Sequence, residues 1–216
     1  MIRAALLACA AALPLAAFPV AFPAAPAWAA GTPDPDWPCI QRRQPHLSMA
    51  QVWGGPVPTE AELALARTPE VQATAQRIAL RRTPMPDAEA AIRAFAADNA
   101  DAGAAGLVAL FAATFDHVNL TRDRVLGGIV RYARKQEALE GRIEELRAQF
   151  ATQNAAEPKD FDAMDATERE LDWSMRIFQD RQQSLTYVCE TPVILEQRAF
   201  ALGRAVAAHL PADPAQ

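Results

Sequence analysis

The sequence predicts an all-α protein, in which a long antiparallel helical hairpin packs on several shorter helices and carries an irregular, proline-rich N-terminal strap. Three observations predict it. Apolar residues recur at heptad spacing along two stretches of about thirty residues each. Helix-start signals precede the shorter apolar-periodic segments. No stretch alternates apolar and polar residues as a half-buried strand does.

The chain opens with a short basic start, Met1–Arg3, then an apolar run over 4–22 broken only by Pro14 and Pro19. Ala27-Trp28-Ala29 supplies the small-x-small pattern that a signal peptidase cuts. Residues 1–29 therefore read as a signal peptide cleaved after Ala29, which places the mature chain in the periplasm. The prolines and the cleavage pattern argue against an uncleaved anchor. Leu6-Leu7-Ala8-Cys9 looks like a lipidation box, but too few residues precede Cys9 and the apolar run continues past it. No segment beyond the leader reads as long and apolar enough to cross a membrane. Removing the leader takes away Arg3 and no acid, so the mature chain is one unit more negative than the formal −5 of the whole. That balance argues against a nucleic-acid partner.

Residues 30–58 hold Pro33, Pro35, Pro38, Pro45, Pro56 and Pro58, a density that blocks helix. The same segment carries Trp37, Cys39, Leu47, Val52 and Trp53, too apolar for a solvated linker. It reads as an extended strap on a single helical domain, 59–210, followed by a frayed, disordered tail, 211–216. Thr59 with Glu62 forms a capping box that opens a helix over 59–67. Pro69 opens the next, 69–82, with Val71, Ala75 and Ile78 inward. Thr83-Pro84-Met85-Pro86 breaks the chain, and Asp87 caps a third helix, 87–99. A fourth, 103–115, holds Leu107, Leu110, Phe111 and Phe115 at helical spacing.

The hairpin is predicted over 118–189. Val118, Val125, Ile129, Tyr132, Leu139, Ile143, Leu146 and Phe150 occupy seam positions, with Arg122 and Gln136 as polar exceptions. Past a loop with Pro158, the second seam is Phe161, Met164, Leu171, Met175, Phe178, Leu185 and Cys189, with Glu168 and Gln182 as exceptions. A turn near Glu157 pairs Phe150 with Met164, Ile143 with Leu171, Leu139 with Met175 and Ile129 with Leu185. Thr191-Pro192 is expected to restart the chain into a last helix, 192–209.

Outside the leader only Cys39 and Cys189 remain, and an oxidising compartment pairs them. Neither has a nearby cysteine, so redox chemistry of the Cys-x-x-Cys kind is disfavoured. The histidines are His46, His117 and His209, and no spacing puts two metal ligands on one helix face. No metal and no cofactor are expected. Nucleophile and phosphate-loop motifs are missing, so the sequence points away from an enzyme. A hydrolase would have to use Asp116 and His117, the one acid–histidine neighbour pair. Gly127-Gly128 sits inside the heptad run, where close approach of another helix or of the strap would compensate its cost.

Charge along the hairpin is polarised. Arg122, Arg124, Arg131, Arg134 and Lys135 stand with one acid, Asp123, whereas Glu157, Asp160, Asp162, Asp165, Glu168, Glu170 and Asp172 face only Lys159 and Arg169. Acids at a helix start suit the macrodipole; a basic partner is the functional reading. Asp162, Asp165, Glu168 and Trp173 are thus the candidate interaction residues. Trp173, with Ile177 and Val188, lies opposite the seam, and the stripe is expected to pack on the shorter helices or the last one, or else to be exposed to a partner. Arg42 and Arg43 are expected to anchor the strap to carboxylates on the body.

Trp37-Pro38-Cys39-Ile40-Gln41-Arg42, with Leu47, Ala50 and Val52-Trp53 ahead of Gly55-Pro56, resembles the N-terminal stretch of uncharacterised exported alphaproteobacterial proteins. The resemblance covers about twenty residues and implies export but no activity. The expectation is a periplasmic, non-enzymatic interaction or accessory protein whose partner is another envelope protein, with self-association possible through the hairpin. The alternative is a small-ligand or cofactor binder that uses Tyr132, Gln136, Glu168 and Gln182 as polar groups on the apolar seam.

Overall fold

In the computed structural model, which describes Asp34 and residues 36–211, Thr59 opens α1 (Glu60–Leu65) as its residue type predicts. Its hydroxyl accepts from the Glu62 amide, and the Glu62 carboxylate accepts from the Thr59 amide at 2.7 Å. α2 (Pro69–Ala79) and α3 (Met85–Asp98) follow, each with proline in its first turn. α2 stops three residues short of the expected end. The guanidinium of Arg198, far along the chain, donates to the Ile78, Ala79 and Thr83 carbonyls and satisfies the helix end and the turn after it. α3 begins two residues early because Pro84 is its N-cap and Pro86 lies in its first turn. The expected leader with its cleavage site, Cys9 and the expected disordered tail beyond Pro211 lie outside the described residues.

Two expected breaks are absent. The fourth helix and the first hairpin arm form one helix, α4 (Gly103–Ala155), of 53 residues, about 80 Å at 1.5 Å per residue. Nothing at Asp116-His117 interrupts a helix, since both keep their amides and Thr121 turns its hydroxyl onto the His117 carbonyl. The second arm and the last helix likewise form α5 (Phe161–Ala207), which runs through Pro192. An interior proline costs about 3 kcal/mol. Burial of Pro192 itself and of Cys189, Leu195, Ala199, Leu202 and Val206 around it offsets that cost. The described residues contain no strand.

The core forms around α4. Gly106–Phe115 is buried on every side, enclosed by α1, α2, α3, the end of α5 and the strap. An 18-residue window of this helix reaches a mean hydropathy of 1.3, so by length and composition one segment beyond the leader is apolar enough to cross a membrane, contrary to the expectation. That window is 61% buried inside the protein. Within the strap, Leu47, Val52 and Trp53 are buried. Trp53 stacks on Phe111 with centroids 4.3 Å apart and donates its indole N–H to the Pro56 carbonyl. Gly203 of α5 admits the strap, because a Cβ there would collide with the Val52 carbonyl oxygen and press on the Phe111 ring at 3.2 Å. Cys39 and Cys189 form a disulfide that closes a loop of 150 residues; chain entropy sets a ceiling of about 5 kcal/mol on its contribution.

Beyond the core, α4 and α5 continue as a two-helix hairpin in the predicted register. Tyr132 donates to the Arg181 carbonyl, Gln136 to the Phe178 carbonyl, and Arg142 reaches Glu170. One feature of the seam differs. On the α5 arm before Cys189 the buried positions are Thr167 and Ser174, while Glu168 and Gln182 are exposed and Met175 is half-buried. Small side chains let the helices approach there. Heptad bookkeeping favours the larger Met175, but a helix of 3.6 residues per turn drifts from a strict seven-residue repeat.

Candidate interaction surface

The acidic residues of α5 are brought together by helix geometry. Asp160 caps the helix, its carboxylate accepting from the Ala163 amide at 3.0 Å. From there Asp165, Asp172 and Gln179 follow one another at intervals of seven, as do Glu168, Met175 and Gln182. Seven residues are close to two turns, so each set forms a line along one face. Asp162 and Trp173 lie on a further line, with the exposed Arg169 and Arg176 between it and the Asp165–Asp172 line. Asp162, Asp165, Glu168 and Asp172 are all exposed, and none forms an ion pair among the described residues.

Trp173 does not pack on the shorter helices. It is 63% exposed, while Ile177 and Val188 are half-buried. The reason is distance: Trp173 lies 22 residues before Leu195 on a continuous α5, about 33 Å from where that helix enters the core. Phe161 is also exposed, at 68%, although the heptad placed it in the seam. It is the first residue of α5, where the arms diverge into their connection.

Some charges elsewhere on the hairpin are paired, while others, including Arg169 and Arg176 beside the acids of α5, are exposed and in no ion pair among the described residues. Arg142 bridges Glu170 at 2.7 Å and Glu145 at 3.2 Å, and Arg147 holds Glu144 at 2.6 Å. Arg134 holds Asp36 at 2.8 Å, and that hydrogen bond lowers the Asp36 carboxyl below its ordinary value. The strap's anchor to the body is therefore its own acid on a basic helix. Arg43 pairs inside the strap with Asp34, and Arg42 is exposed with no partner among the described residues.

An open groove of about 250 Å³ runs between the two arms. Ile143 from α4 and Met175 and Phe178 from α5 form its floor. Glu140, Glu144 and Arg147 stand on one wall, Gln179 and Gln182 on the other. The polar seam residues do not converge on an enclosed cavity. Tyr132 and Gln136 spend their donors on α5 carbonyls, and burial raises the Tyr132 phenol against the opposing charge of Arg181. Glu168 and Gln182 face solvent.

Sequence reasoning missed one buried group. Arg122, which it ranked as a polar exception on the seam and a member of a basic run, is fully buried. Its guanidinium holds Glu196 of α5 at 2.7 Å and donates to the Gln44 carbonyl of the strap. It ties together α4, α5 and the strap at one point. The signal available in the sequence was its seam position, which demands burial.

Asp116 and His117 do not form a catalytic arrangement. His117 Nε2 lies 2.9 Å from the Gln72 side-chain oxygen of α2, a helix-to-helix link. Desolvation by the surrounding protein raises the Asp116 carboxyl, opposed by the charges of His117 and Arg67, although much of its side chain still meets solvent. His46 and His209 are exposed, and no group of three or more His, Cys, Asp or Glu among the described residues is placed to hold a metal. Gly127 and Gly128 do not serve close packing. A Cβ at either would meet only the guanidinium of Arg131, at 3.3 and 3.9 Å. No family model, curated protein or solved structure gives a significant match to the chain.

Proposed function

We propose that the protein is a non-enzymatic interaction or accessory protein of the periplasm, whose hairpin is the arm that docks a basic partner from the cell envelope. The observation that carries this reading is the outer face of α5. Along it Asp162, Asp165, Glu168 and Asp172 are exposed and unpaired, and Trp173, 63% exposed, stands with Arg169 and Arg176 one turn to either side. An exposed tryptophan flanked by unpaired charge is the composition of an interface centre with a polar rim. The disulfide between Cys39 and Cys189 suits an oxidising compartment.

A photo-crosslinking residue in place of Trp173, introduced in the cells that make the protein, tests this. A discrete crosslinked partner is expected. It should be lost when Asp165→Lys and Glu168→Lys are added, with the unfolding free energy changed by less than about 0.5 kcal/mol, because both side chains are exposed. A crosslink that survives the charge reversal would remove the acidic face from the interface, and no crosslink at all would remove the reading.

A further inference from the structure

The groove between the arms ends a list of unmet apolar demands. Leu139, Met164, Leu171, Met175, Phe178 and Leu185 are all only half-buried along the hairpin. We infer that this groove seats one amphipathic helix of another protein, apolar on one side and basic along its flanks. The inference rests on the hairpin being a docking arm, and it names the seat and the chemistry of the occupant.

Three arguments carry it. First, the floor is made of side chains from two antiparallel helices, with Met175 and Phe178 one turn apart on α5 and Ile143 opposite on α4. Side chains offer an incoming segment no backbone hydrogen bonds, so the occupant must satisfy its own peptide groups, as a helix does. Second, a third helix laid in such a groove interdigitates with rows of residues three and four apart, the ordinary mode of helix packing.

Third, the free charge that borders the groove itself is negative, while the exposed cations Arg169 and Arg176 stand on the far side of the Asp165–Asp172 line. The two lines that form its α5 wall, Gln179 and Met175 with Gln182, continue towards the tip as Asp172 and Asp165 and as Glu168. The α4 wall adds Glu140, and the one cation, Arg147, is already held by Glu144 at 2.6 Å. A helix lying along the groove and over these lines meets a row of carboxylates, and basic flanks complement it.

Two synthetic helical peptides of equal length test this by fluorescence anisotropy on the oxidised protein, one built from leucine and lysine at helical spacing, the other from leucine and glutamate. The first is expected to bind and the second not. Affinity for the first should fall about tenfold with Glu140→Lys plus Asp172→Lys, and similarly with Gln179→Trp, which fills the groove without altering charge. All three positions are exposed, so unchanged urea midpoints will confirm that the variants fold. Equal binding by wild type and Gln179→Trp would mean that the acidic surface attracts the peptide without the groove, and overturns the inference. No binding by wild type overturns it too, while the Trp173 crosslink reports separately whether the arm docks anything. A peptide-free dimer that Gln179→Trp converts to monomer would put a second copy in the groove, and so would also overturn it.

Discussion

Replacing Gly203 with alanine should unfold the protein more readily, whereas the same change at Gly128 should do the opposite. Both glycines lie inside long helices, so each substitution gains about 1 kcal/mol of helix propensity. At Gly128 the added methyl meets nothing nearer than the Arg131 guanidinium at 3.9 Å, and the gain stands. At Gly203 it collides with the Val52 carbonyl oxygen and sits 3.2 Å from Phe111, whose ring stacks on Trp53. The obstacle is backbone, so relief requires the strap to lift. Overpacking of this kind costs about 1–3 kcal/mol, and a backbone obstacle puts it near the upper end. The net expectation is a loss of about 2 kcal/mol at Gly203 and a gain of about 1 at Gly128. The two variants would then differ by about 3 kcal/mol, or about two orders of magnitude in the folding equilibrium. Urea unfolding of the oxidised protein, followed by circular dichroism and by tryptophan fluorescence, measures this as midpoints about 1 M apart. If Gly203→Ala raises the midpoint as Gly128→Ala does, the strap is not seated on α5 and the account of this end of the core fails.

Two further perturbations follow from charges that the fold buries or partly desolvates. Glu196→Ala leaves the Arg122 guanidinium buried with only the Gln44 carbonyl to hold it, and should cost about 3 kcal/mol, the lower end for a buried pair because Glu196 retains 31% exposure. Arg122→Met, which removes the charge and keeps the volume, should cost less; the reverse order in urea midpoints would refute the reading of Arg122 as a buried tie. Asp116→Asn should stabilise the protein at neutral pH. A carboxyl whose folded value is raised binds its proton more tightly folded than unfolded, so its stability cost appears as pH rises above the ordinary carboxylate value and is complete above the raised one. The gain from Asp116→Asn in melting temperature should therefore vanish below about pH 4; a gain that persists there would assign it to something other than titration.

How much of this was readable in advance depends on how local the cause was. The capping box of α1 and the proline-led start of α2 are contacts between residues three or fewer apart, and sequence reasoning finds them where the structure has them. The hairpin register follows from periodicity, which imposes the same pairing along the whole arm. The Thr191-Pro192 break was the opposite case. A proline tends to end a helix by local rules, but α5 continues because the residues on either side are buried in a core assembled from distant segments. The acidic line of α5 was legible as composition, while the exposure of Trp173 was not, since it depends on how far the short helices extend along the hairpin.

The sequence by itself determined the helical class, the antiparallel pairing of the two arms and the cysteine pair, because heptad spacing, caps and the two cysteines beyond residue 29 are properties of the chain alone. Only the tertiary structure decided that four predicted helices are two, that the buried Arg122 joins strap to body alongside the surface pair Arg134–Asp36, and that Gly203 rather than Gly127 and Gly128 is the glycine where a long helix meets the strap. Each of these rests on residues tens of positions apart meeting in three dimensions, where burial outweighs local preference by a few kcal/mol and leaves no trace in spacing.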